Sequence, residues 1–268
     1  MKRVKDVYIT RISKFLPNEP VDNDHMEEKL GYINGKTSKA RRLVLRNNQI
    51  KYRYYAIDDQ GNITHNNAQL TKEAIELLLD EEFSANDIEL LSCGTTSPDQ
   101  LLPSHASMVH GFLKNHTLEV NSPSGACCSG MNALKYGYLS VKAGQTENAV
   151  CTGSERTSSW MMADIFENEV EHLKELEENP ILSFHKEFFF FLLSDGAGAV
   201  LLENSPKGKT PLKIEWMEGY SYAHELDACM YAGGEKLDNG QIKAWSEYPA
   251  DQWGQRSLFA MKQDVRLL

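Results

Sequence analysis

Hydrophobic and polar residues follow two different periods along the first third of the chain. Residues Asp6–Ile12 alternate in the manner of a half-buried strand, and prolines follow that segment. From Leu70 to Glu82 the apolar residues recur at helical spacing instead, with Thr71 available near the start of the helix. Ile88–Gly94 is a short apolar run typical of a buried strand. This part of the chain is therefore predicted to fold as strand, helix and strand.

The same alternation of periods continues through the middle of the chain. A helix is predicted after Ser104, a strand at Leu118–Val120, and a second helix over Asn132–Leu139. Two further strands are predicted at Ala149–Gly153 and Gly198–Leu202. Strands that alternate with helices predict an α/β fold whose sheet is covered by helices on both faces.

The segment between the last two strands, and the chain that follows them, have a different character. Asp164–Leu176 predicts an acidic helix with a solvated face, and the apolar run Phe188–Leu193 is too short for a membrane span. We expect this run in a core, in preference to a dimer contact or an apolar substrate channel. Pro206–Lys209 resembles a linker, and the strand predicted at Leu212–Met217 opens a second unit. We therefore predict a first half over 1–205 and the beginning of a second over 206–268.

Composition narrows the classes of function. The 268 residues carry a formal net charge of −10, which argues against general nucleic-acid binding. Residues 36–53 are nevertheless basic, so they form either a site for a phosphate-bearing or acidic partner or a solvated face. No apolar run is long enough to span a membrane and the N-terminus lacks a secretion signal, which predicts a cytoplasmic protein. Five cysteines without C-x-x-C spacing predict neither a disulfide framework nor a metal site.

One cysteine lies where a strand-like segment gives way to a helix-like one. Cys128 is flanked by small residues at Gly125, Ala126, Ser129 and Gly130, which permit a sharp turn with an exposed side chain. The free N–H groups and the positive dipole end of a first helical turn favour thiolate over thiol, and a thiolate attacks thioesters. The alternative is a buried structural thiol, since free cysteine is among the most buried residue types.

Other possible site motifs are weaker. Gly125 and Gly130 have the spacing of a phosphate loop, but Met131-Asn132 replaces its Lys-Ser/Thr pair. The glycines of Asp195–Ala199 precede a strand, whereas a dinucleotide fingerprint follows one. His105 and His110 are five residues apart and so lack the i, i+4 spacing of a helical metal pair, and His185 has no evident partner in the sequence.

The cysteine turn resembles a known nucleophile turn. Ala126–Gly130 is similar to that of the β-ketoacyl-acyl-carrier-protein synthase III family, a branch of the thiolase fold. Further segments match the family in order and spacing: Gly94–Ser97 with Leu102–Ser104, Thr152–Glu155, and Ser194–Ala199. The resemblance covers residues 5–268, and within the family it is strongest to enzymes of aryl-polyene or dialkylresorcinol pigment pathways.

The resemblance implies a thiolase-like layered fold and a Claisen condensation through an acyl-cysteine. Cys128 would be the nucleophile, because the family's cysteine lies two residues before the glycine that is here Gly130. The resemblance also implies that the Cys128 N–H helps to form an oxyanion hole, with the Gly196–Gly198 loop as support, and that Arg46 lies near the nucleotide end of coenzyme A. Acyl-CoA and acyl-carrier-protein thioesters would be the substrates, without a cofactor, and the protein would be a homodimer.

The sequence departs from the family in its second half. Family members carry a His-x-x-Asn motif there, whereas beyond Pro211 this chain has only His224, which is too early; Ser257–Lys262 resembles the helix that precedes the motif. We therefore predict a truncated synthase that is poorly stable alone and unable to condense, while self-acylation at Cys128 is retained. Two alternatives are a cysteine-dependent thioester hydrolase, with His185 or His224 as partner, and a non-catalytic synthase-like subunit.

Overall fold

The computed structural model describes residues 4–32, 35, 37–38, 41–162, 190–256, 258–259 and 261–263. The predicted acidic helix over 164–176, His185 and the start of the apolar run at 188–189 lie outside these residues. The described strands are β1 (Tyr8–Phe15), β2 (Val21–Asp22), β3 (Tyr52–Arg53), β4 (Leu90–Gly94), β5 (Glu119–Asn121), β6 (Asn148–Glu155), β7 (Gly196–Glu203), β8 (Leu212–Lys213), β9 (Met230–Tyr231), β10 (Gly234–Lys236), β11 (Ile242–Ala244) and β12 (Lys262–Gln263).

The longest of the described helices, Ser129–Ala143, follows β5. In chain order they are α1 (Met26–Leu30), α2 (Arg41–Asn48), α3 (Asn67–Glu76), α4 (His105–Leu113), α5 (Ser129–Ala143), α6 (Ser158–Met161) and α7 (Gln252–Gln255). The chain divides into two compact units: unit 1 comprises Met1–Glu19, Tyr54–Arg156 and Ser194–Glu218, and unit 2 the remainder. No helix of the described chain has the length and hydrophobicity of a membrane span.

Unit 1 is built on a mixed sheet of six strands. Their order is β5-β4-β6-β7-β1-β8, with β4 parallel to both β5 and β6, whereas β7 runs antiparallel to β6 and to β1. The parallel strands β5, β4 and β6 end on the same side of the sheet, and the chain enters α5 after β5. This topology brings the ends of β4 and β6 close to the beginning of α5.

Helices cover both faces of this sheet, as the sequence predicts. On one face α3 and α4 pack against alternate residues of the central strands, for example Leu91, Val150 and Leu201. On the other face α5 contributes Tyr138 and Val141 to a second cluster. Both clusters consist of residues that are almost wholly removed from water, so burial of apolar surface on two faces holds the unit together.

The helix ends show where the predictions were wrong by a few residues. α3 begins earlier than predicted, because Asn66 forms a capping box with Gln69. Thr71, predicted near the start, lies buried inside the helix and donates a hydrogen bond to the Asn67 carbonyl oxygen. The strand predicted at 212–217 is shorter in the structure: β8 ends at Lys213, and the Ile214 N–H donates one further backbone hydrogen bond to the Val7 carbonyl oxygen at 2.9 Å.

Unit 2 contains short antiparallel pairs, β2 with β3, β9 with β12 and β10 with β11. The Arg53 side chain is fully buried and donates to Asn23 Oδ1 at 2.6 Å and to the Phe191 carbonyl oxygen at 2.5 Å. The helix predicted over 257–262 is not formed by the described residues: 258–259 lie in a turn and Lys262 begins β12, paired with Tyr231.

Candidate functional site

The cysteine turn of unit 1 connects β5 to α5. It begins at Ser124, which forms a parallel bridge with Thr95 at the end of β4, and Gly125 follows with φ +138°, a conformation that favours glycine. Ala126 comes next and is followed by Cys127 and Cys128, both of which are exposed. Cys128 is the N-cap residue of α5. The exposed position that the sequence favours for Cys128 is therefore observed.

Hydrogen bonds close this turn on the side away from solvent. The buried Ser129 hydroxyl lies 2.9 Å from the Gly125 carbonyl oxygen and 2.8 Å from that of Ala126. The Ser129 N–H donates to the Ala126 oxygen at 3.1 Å, and the Asn132 N–H donates to the Cys128 oxygen at 2.8 Å. The backbone on both sides of the two cysteines is thus fixed while their thiols face outward.

Three glycines let the first turn of α5 approach the sheet directly. A Cβ atom placed on Gly94 of β4 would lie 2.2 Å from the Ser129 carbonyl oxygen. A Cβ on Gly130 would lie 3.2 Å from the Cα of Gly153 in β6, and a Cβ on Gly153 would lie 3.3 Å from the Cα of Gly130. The helix end that bears Cys128 therefore rests on backbone, without side chains between, and cannot shift easily.

The helix end supplies a favourable electrostatic environment for attack on a carbonyl. α5 spans 15 residues, its first turn contains no acidic side chain, and the Cys128 side chain caps none of its N–H groups within the described chain. Unpaired N–H groups and the aligned peptide dipoles give such an end partial positive charge. Negative charge that develops on a sulfur or on a carbonyl oxygen would be stabilised there.

The remaining cysteines have different environments. Cys93 on β4 and Cys151 on β6 are buried on opposite faces of the sheet. Burial raises the pKa of the Cys93 thiol to about 12 and raises that of Cys151 as well. These two thiols are packing groups, whereas Cys127 and Cys128 are open to reagents and Cys229 of unit 2 is half-buried.

We expect iodoacetamide to distinguish these cysteines in the native protein. At pH 8, peptide mass spectrometry should find rapid alkylation at Cys127 and Cys128, and alkylation of Cys93 and Cys151 only after denaturation, because the buried thiols are both inaccessible and protonated. Native-state labelling of Cys93 at the rate of Cys128 would contradict the fold of the sheet around it. Labelling in urea provides the reference for full access.

The histidines do not assemble with Cys128 among the described residues of unit 1. His105 is buried, and its Nε2 lies 3.1 Å from both Thr71 Oγ1 and Ser154 Oγ. His110 Nε2 lies 3.1 Å from the His116 carbonyl oxygen. His224, in unit 2, is exposed and pairs with Glu225 at 2.9 Å. The described residues contain no cluster of three potential metal ligands.

The glycines and the arginine implied by the resemblance lie in regular elements. Gly196 and Gly198 are within β7 and not in a loop, opposite Glu155 and Gly153 of β6. Their support of an oxyanion hole stays a prediction. Arg46 is exposed on α2 of unit 2. In the basic segment, Arg41 pairs with Asp24 at 2.7 Å and Glu27 at 3.3 Å, and Arg53 is buried, so part of this charge has a structural role.

A group of polar residues beside the turn was not assigned by the sequence analysis. Glu155, at the end of β6, accepts hydrogen bonds from the Thr95-Thr96-Ser97 loop that follows β4. Asn67 of α3 donates to the same loop. The sequence signal was limited to the fact that Gly94–Ser97 and Thr152–Glu155 both lie in segments that resemble the synthase III family. Their contact across the sheet is visible only in the structure.

Comparison with known proteins gives a consistent result. No family model matches the chain. β-Ketoacyl-[acyl-carrier-protein] synthase III of Chlorobaculum tepidum is 26% identical over 230 residues, which is 84% of this chain and 55% of that protein. The enzyme of the same name from Ehrlichia ruminantium strain Gardel is 25% identical over 233 residues, which is 87% of this chain and 62% of that protein. The chain thus spans little more than half the length of these curated relatives.

Solved structures with a similar fold include a condensing enzyme and variants of OleA. AbyA1, described as a tetronic acid condensing enzyme, superposes with a TM-score of 0.67 at 19% identity, covering 97% of this chain and 67% of AbyA1. A cysteine-to-serine variant of Xanthomonas campestris OleA with bound lauric acid and lauroyl-CoA gives a TM-score of 0.54 at 18% identity, covering 75% and 57%. Together the comparisons confirm a thiolase-like α/β fold and show that this chain is similar in sequence to curated β-ketoacyl-[acyl-carrier-protein] synthase III proteins.

Proposed function

We propose that this chain accepts an acyl group from a thioester onto Cys128, as the first half of a β-ketoacyl-synthase reaction. The observation that carries the proposal is the exposed Cys128 at the N-terminal end of α5, in a turn whose backbone packs on β4 and β6. A cysteine nucleophile divides a difficult acyl transfer into two easier steps through a covalent intermediate.

The proposed step balances as a thioester exchange. The Cys128 thiolate attacks the carbonyl carbon, and the new carbon–sulfur bond replaces the bond to the sulfur of the donor, which leaves as a thiolate. The oxyanion of the tetrahedral intermediate would be held by the backbone N–H of Cys128. In a complete synthase, a malonyl-carrier-protein loses CO2, or a β-ketoacyl-carrier-protein loses a proton, to give a carbanion that attacks the acyl-enzyme carbonyl. The new carbon–carbon bond replaces the bond to the Cys128 sulfur, which leaves as a thiolate.

The donors that we propose are acyl-CoA and acyl-carrier-protein, in fatty-acid or polyketide-type biosynthesis. The names of the relatives include the acyl carrier protein, and the OleA variant holds lauroyl-CoA. The 268 residues contain no His-x-x-Asn motif, the family's means of stabilising the carbanion. We therefore propose acyl-enzyme formation without condensation for this stretch of chain. A homodimer, which the family resemblance implies, stays a prediction.

Acylation of the purified chain is a direct test. After incubation with acetyl-CoA or lauroyl-CoA, the intact mass should increase by one acyl group. Cys128→Ala should abolish the increase, because it removes the attacking sulfur, whereas the matched variant Cys127→Ala should retain it. Peptide mass spectrometry would locate the group. Acylation that persists in Cys128→Ala would refute the assignment of the nucleophile.

The same experiment distinguishes the alternatives. Continuous release of free fatty acid and CoA, dependent on Cys128 and independent of a carrier protein, would favour a thioester hydrolase. A wild-type chain that remains unmodified by both thioesters, although its Cys128 reacts with iodoacetamide, would favour a non-catalytic synthase-like subunit. Turnover of malonyl-carrier protein into a β-ketoacyl product would contradict our proposal that this stretch of chain does not condense.

A further inference from the structure

We propose that Glu155 is a positioning residue for the Cys128 turn, acting through the Thr95-Thr96-Ser97 loop. This inference deepens the proposed function and rests on it for its catalytic consequence. Glu155 is the last residue of β6, one strand away from the loop along the sheet. Among the described residues, the hydrogen bonds of Glu155 go to the loop and not to Cys127 or Cys128, so its effect on the cysteines would be transmitted through the loop.

The Glu155 carboxylate is a shared acceptor for this loop. Its Oε1 accepts from the Thr96 N–H at 2.7 Å. Its Oε2 accepts from the Ser97 hydroxyl at 2.6 Å, from the Ser97 N–H at 3.0 Å and from the Thr95 hydroxyl at 3.4 Å. Short hydrogen bonds to an ionised acceptor are about twice as strong as neutral ones. One side chain therefore fixes the conformation of three consecutive loop residues.

The loop in turn contacts the cysteine turn at two points. Thr95 forms a parallel bridge with Ser124, and the Thr95 N–H donates to the Pro123 carbonyl oxygen at 3.4 Å. The Thr96 hydroxyl donates at 3.3 Å to the carbonyl oxygen of Ala126, the residue before Cys127. The same oxygen receives the hydrogen bonds of Ser129 described above. Thus the carbonyl that closes the turn is held from the helix on one side and from the Glu155-bound loop on the other.

Other polar groups prevent the loop from relaxing. Asn67 is fully buried and donates to the Thr95 hydroxyl oxygen and to the Ser97 carbonyl oxygen, each at 2.8 Å. The Asp99 carboxylate accepts from the N–H groups of Asn67 and Ala68 at 2.8 and 3.0 Å, at the start of α3. The loop is therefore anchored to α3 as well. At the end of β6 it is held by Glu155 and by the Arg156 N–H, which donates to the Ser97 hydroxyl oxygen at 3.0 Å.

Glutamine at position 155 would have nearly the same shape but a different hydrogen-bonding capacity. An amide has one acceptor oxygen, and its NH₂ group can only donate. In Glu155→Gln, at least one of the two backbone N–H groups of Thr96 and Ser97 would lose its carboxylate partner. The loop would then have to move, and its hold on the Ala126 carbonyl would weaken.

The test compares Glu155→Gln with Glu119→Gln in the full chain. Glu119 is a suitable control because it also tethers α5, accepting from the Tyr136 hydroxyl at 2.6 Å, but outside the cysteine turn. Hydrogen exchange of the peptide covering 122–131 should accelerate about tenfold in Glu155→Gln and stay unchanged in Glu119→Gln. All measurements are made well below the melting temperature of each variant.

Two chemical readouts separate positioning from general destabilisation. The ratio of the iodoacetamide rates at Cys128 and Cys127, measured from pH 5 to 9, should fall about fivefold or more in Glu155→Gln. With acetyl-CoA, the maximal rate of Cys128 acylation should fall about tenfold while the half-saturating concentration stays constant. Thr96→Val, which removes only the hydroxyl donor to Ala126, should reproduce these changes, whereas Thr96→Ser, which keeps a hydroxyl, should behave like the wild type. If Glu155→Gln does not fold, this pair of variants tests whether the loop positions the cysteine turn.

Three outcomes would overturn the inference. They are unchanged exchange in 122–131, an unchanged Cys128-to-Cys127 ratio despite a lower melting temperature, and wild-type behaviour of Thr96→Val. Absence of acylation in the wild-type chain would instead refute the proposed function, because the exchange and alkylation measurements do not require it.

Discussion

Gly94→Ala is expected to destabilise unit 1 by about 3 kcal/mol or more, the upper end of the cost of inserting a methyl group into a packed interior. Its Cβ would lie 2.2 Å from the Ser129 carbonyl oxygen, 2.4 Å from the carbonyl carbon and 2.8 Å from the Gly130 nitrogen. All three are backbone atoms, so no rotamer change relieves the overlap. Urea unfolding followed by circular dichroism should report the loss.

The local consequence of this substitution concerns the cysteine turn. The helix can accommodate the methyl group only if its first turn moves away from β4, which would displace Cys128 along with Ser129. Acylation of any folded Gly94→Ala protein should therefore fall together with its stability.

Gly111→Ala provides the matched control. Gly111 lies exposed in α4, and a Cβ there would have no atom within 4 Å. The same substitution should be neutral or stabilise the protein by up to about 1 kcal/mol, the usual advantage of alanine over glycine in a helix. Equal unfolding midpoints for Gly94→Ala and the wild type would contradict the close packing of α5 on β4.

Acidification is expected to cost unit 1 about 3 kcal/mol of stability through His105 alone. Its side chain is buried, and burial lowers its pKa from 6.5 to about 4, against a smaller opposing effect of Asp99. Unfolding therefore takes up a proton between these two pH values. The free energy of unfolding falls as pH decreases from 6.5, and the loss is complete near pH 4.

His105→Gln isolates this contribution because glutamine does not titrate. The slope of unfolding free energy against pH between 4.5 and 6 should be shallower in the variant by about 1.4 kcal/mol per pH unit, the value for one proton. The pKa values of Asp80 and Asp87 are lowered chiefly by hydrogen bonds from Arg11 and Ser84, respectively. Both carboxyl groups are present in the wild type and in His105→Gln, so they contribute equally to the two slopes. His224→Gln, at an exposed site, is the control for removal of a histidine. Parallel slopes for the wild type and His105→Gln would contradict the prediction.

The sequence was sufficient for the elements that local patterns determine. Apolar spacing located β1, β4 and the beginnings of α3–α5 to within a few residues, although α3 ends at Glu76 and not at the predicted Glu82. The small residues around Cys128 correctly indicated an exposed turn before a helix. Errors arose where tertiary contacts decide the boundary. Asn66 and not Thr71 begins α3, because the Asp99 carboxylate accepts hydrogen bonds from the Asn67 and Ala68 N–H groups in addition to the local capping box with Gln69.

The contacts that fix the candidate site could not be predicted, because they join residues far apart in the chain. Glu155 meets Thr96 across 59 positions, and Gly94 meets Ser129 only after β4 and α5 are packed together. From the sequence alone, a glycine in a strand can be there because a neighbour leaves no space for a side chain, because the backbone conformation favours glycine, or for neither reason. The burial of His105 likewise depends on the approach of Thr71 and Ser154 from two other elements.

The antiparallel pairing of β6 and β7 has a consequence for how this architecture can vary. Glu155 and Gly196 are cross-strand neighbours, so the chain leaves the sheet and re-enters it at adjacent points. Lengthening a surface connection carries an entropic cost that grows only slowly with its size. An insertion between Glu155 and Gly196 would therefore leave the pairing register of β6 and β7 unchanged, so variation in the length of this connection is compatible with the sheet.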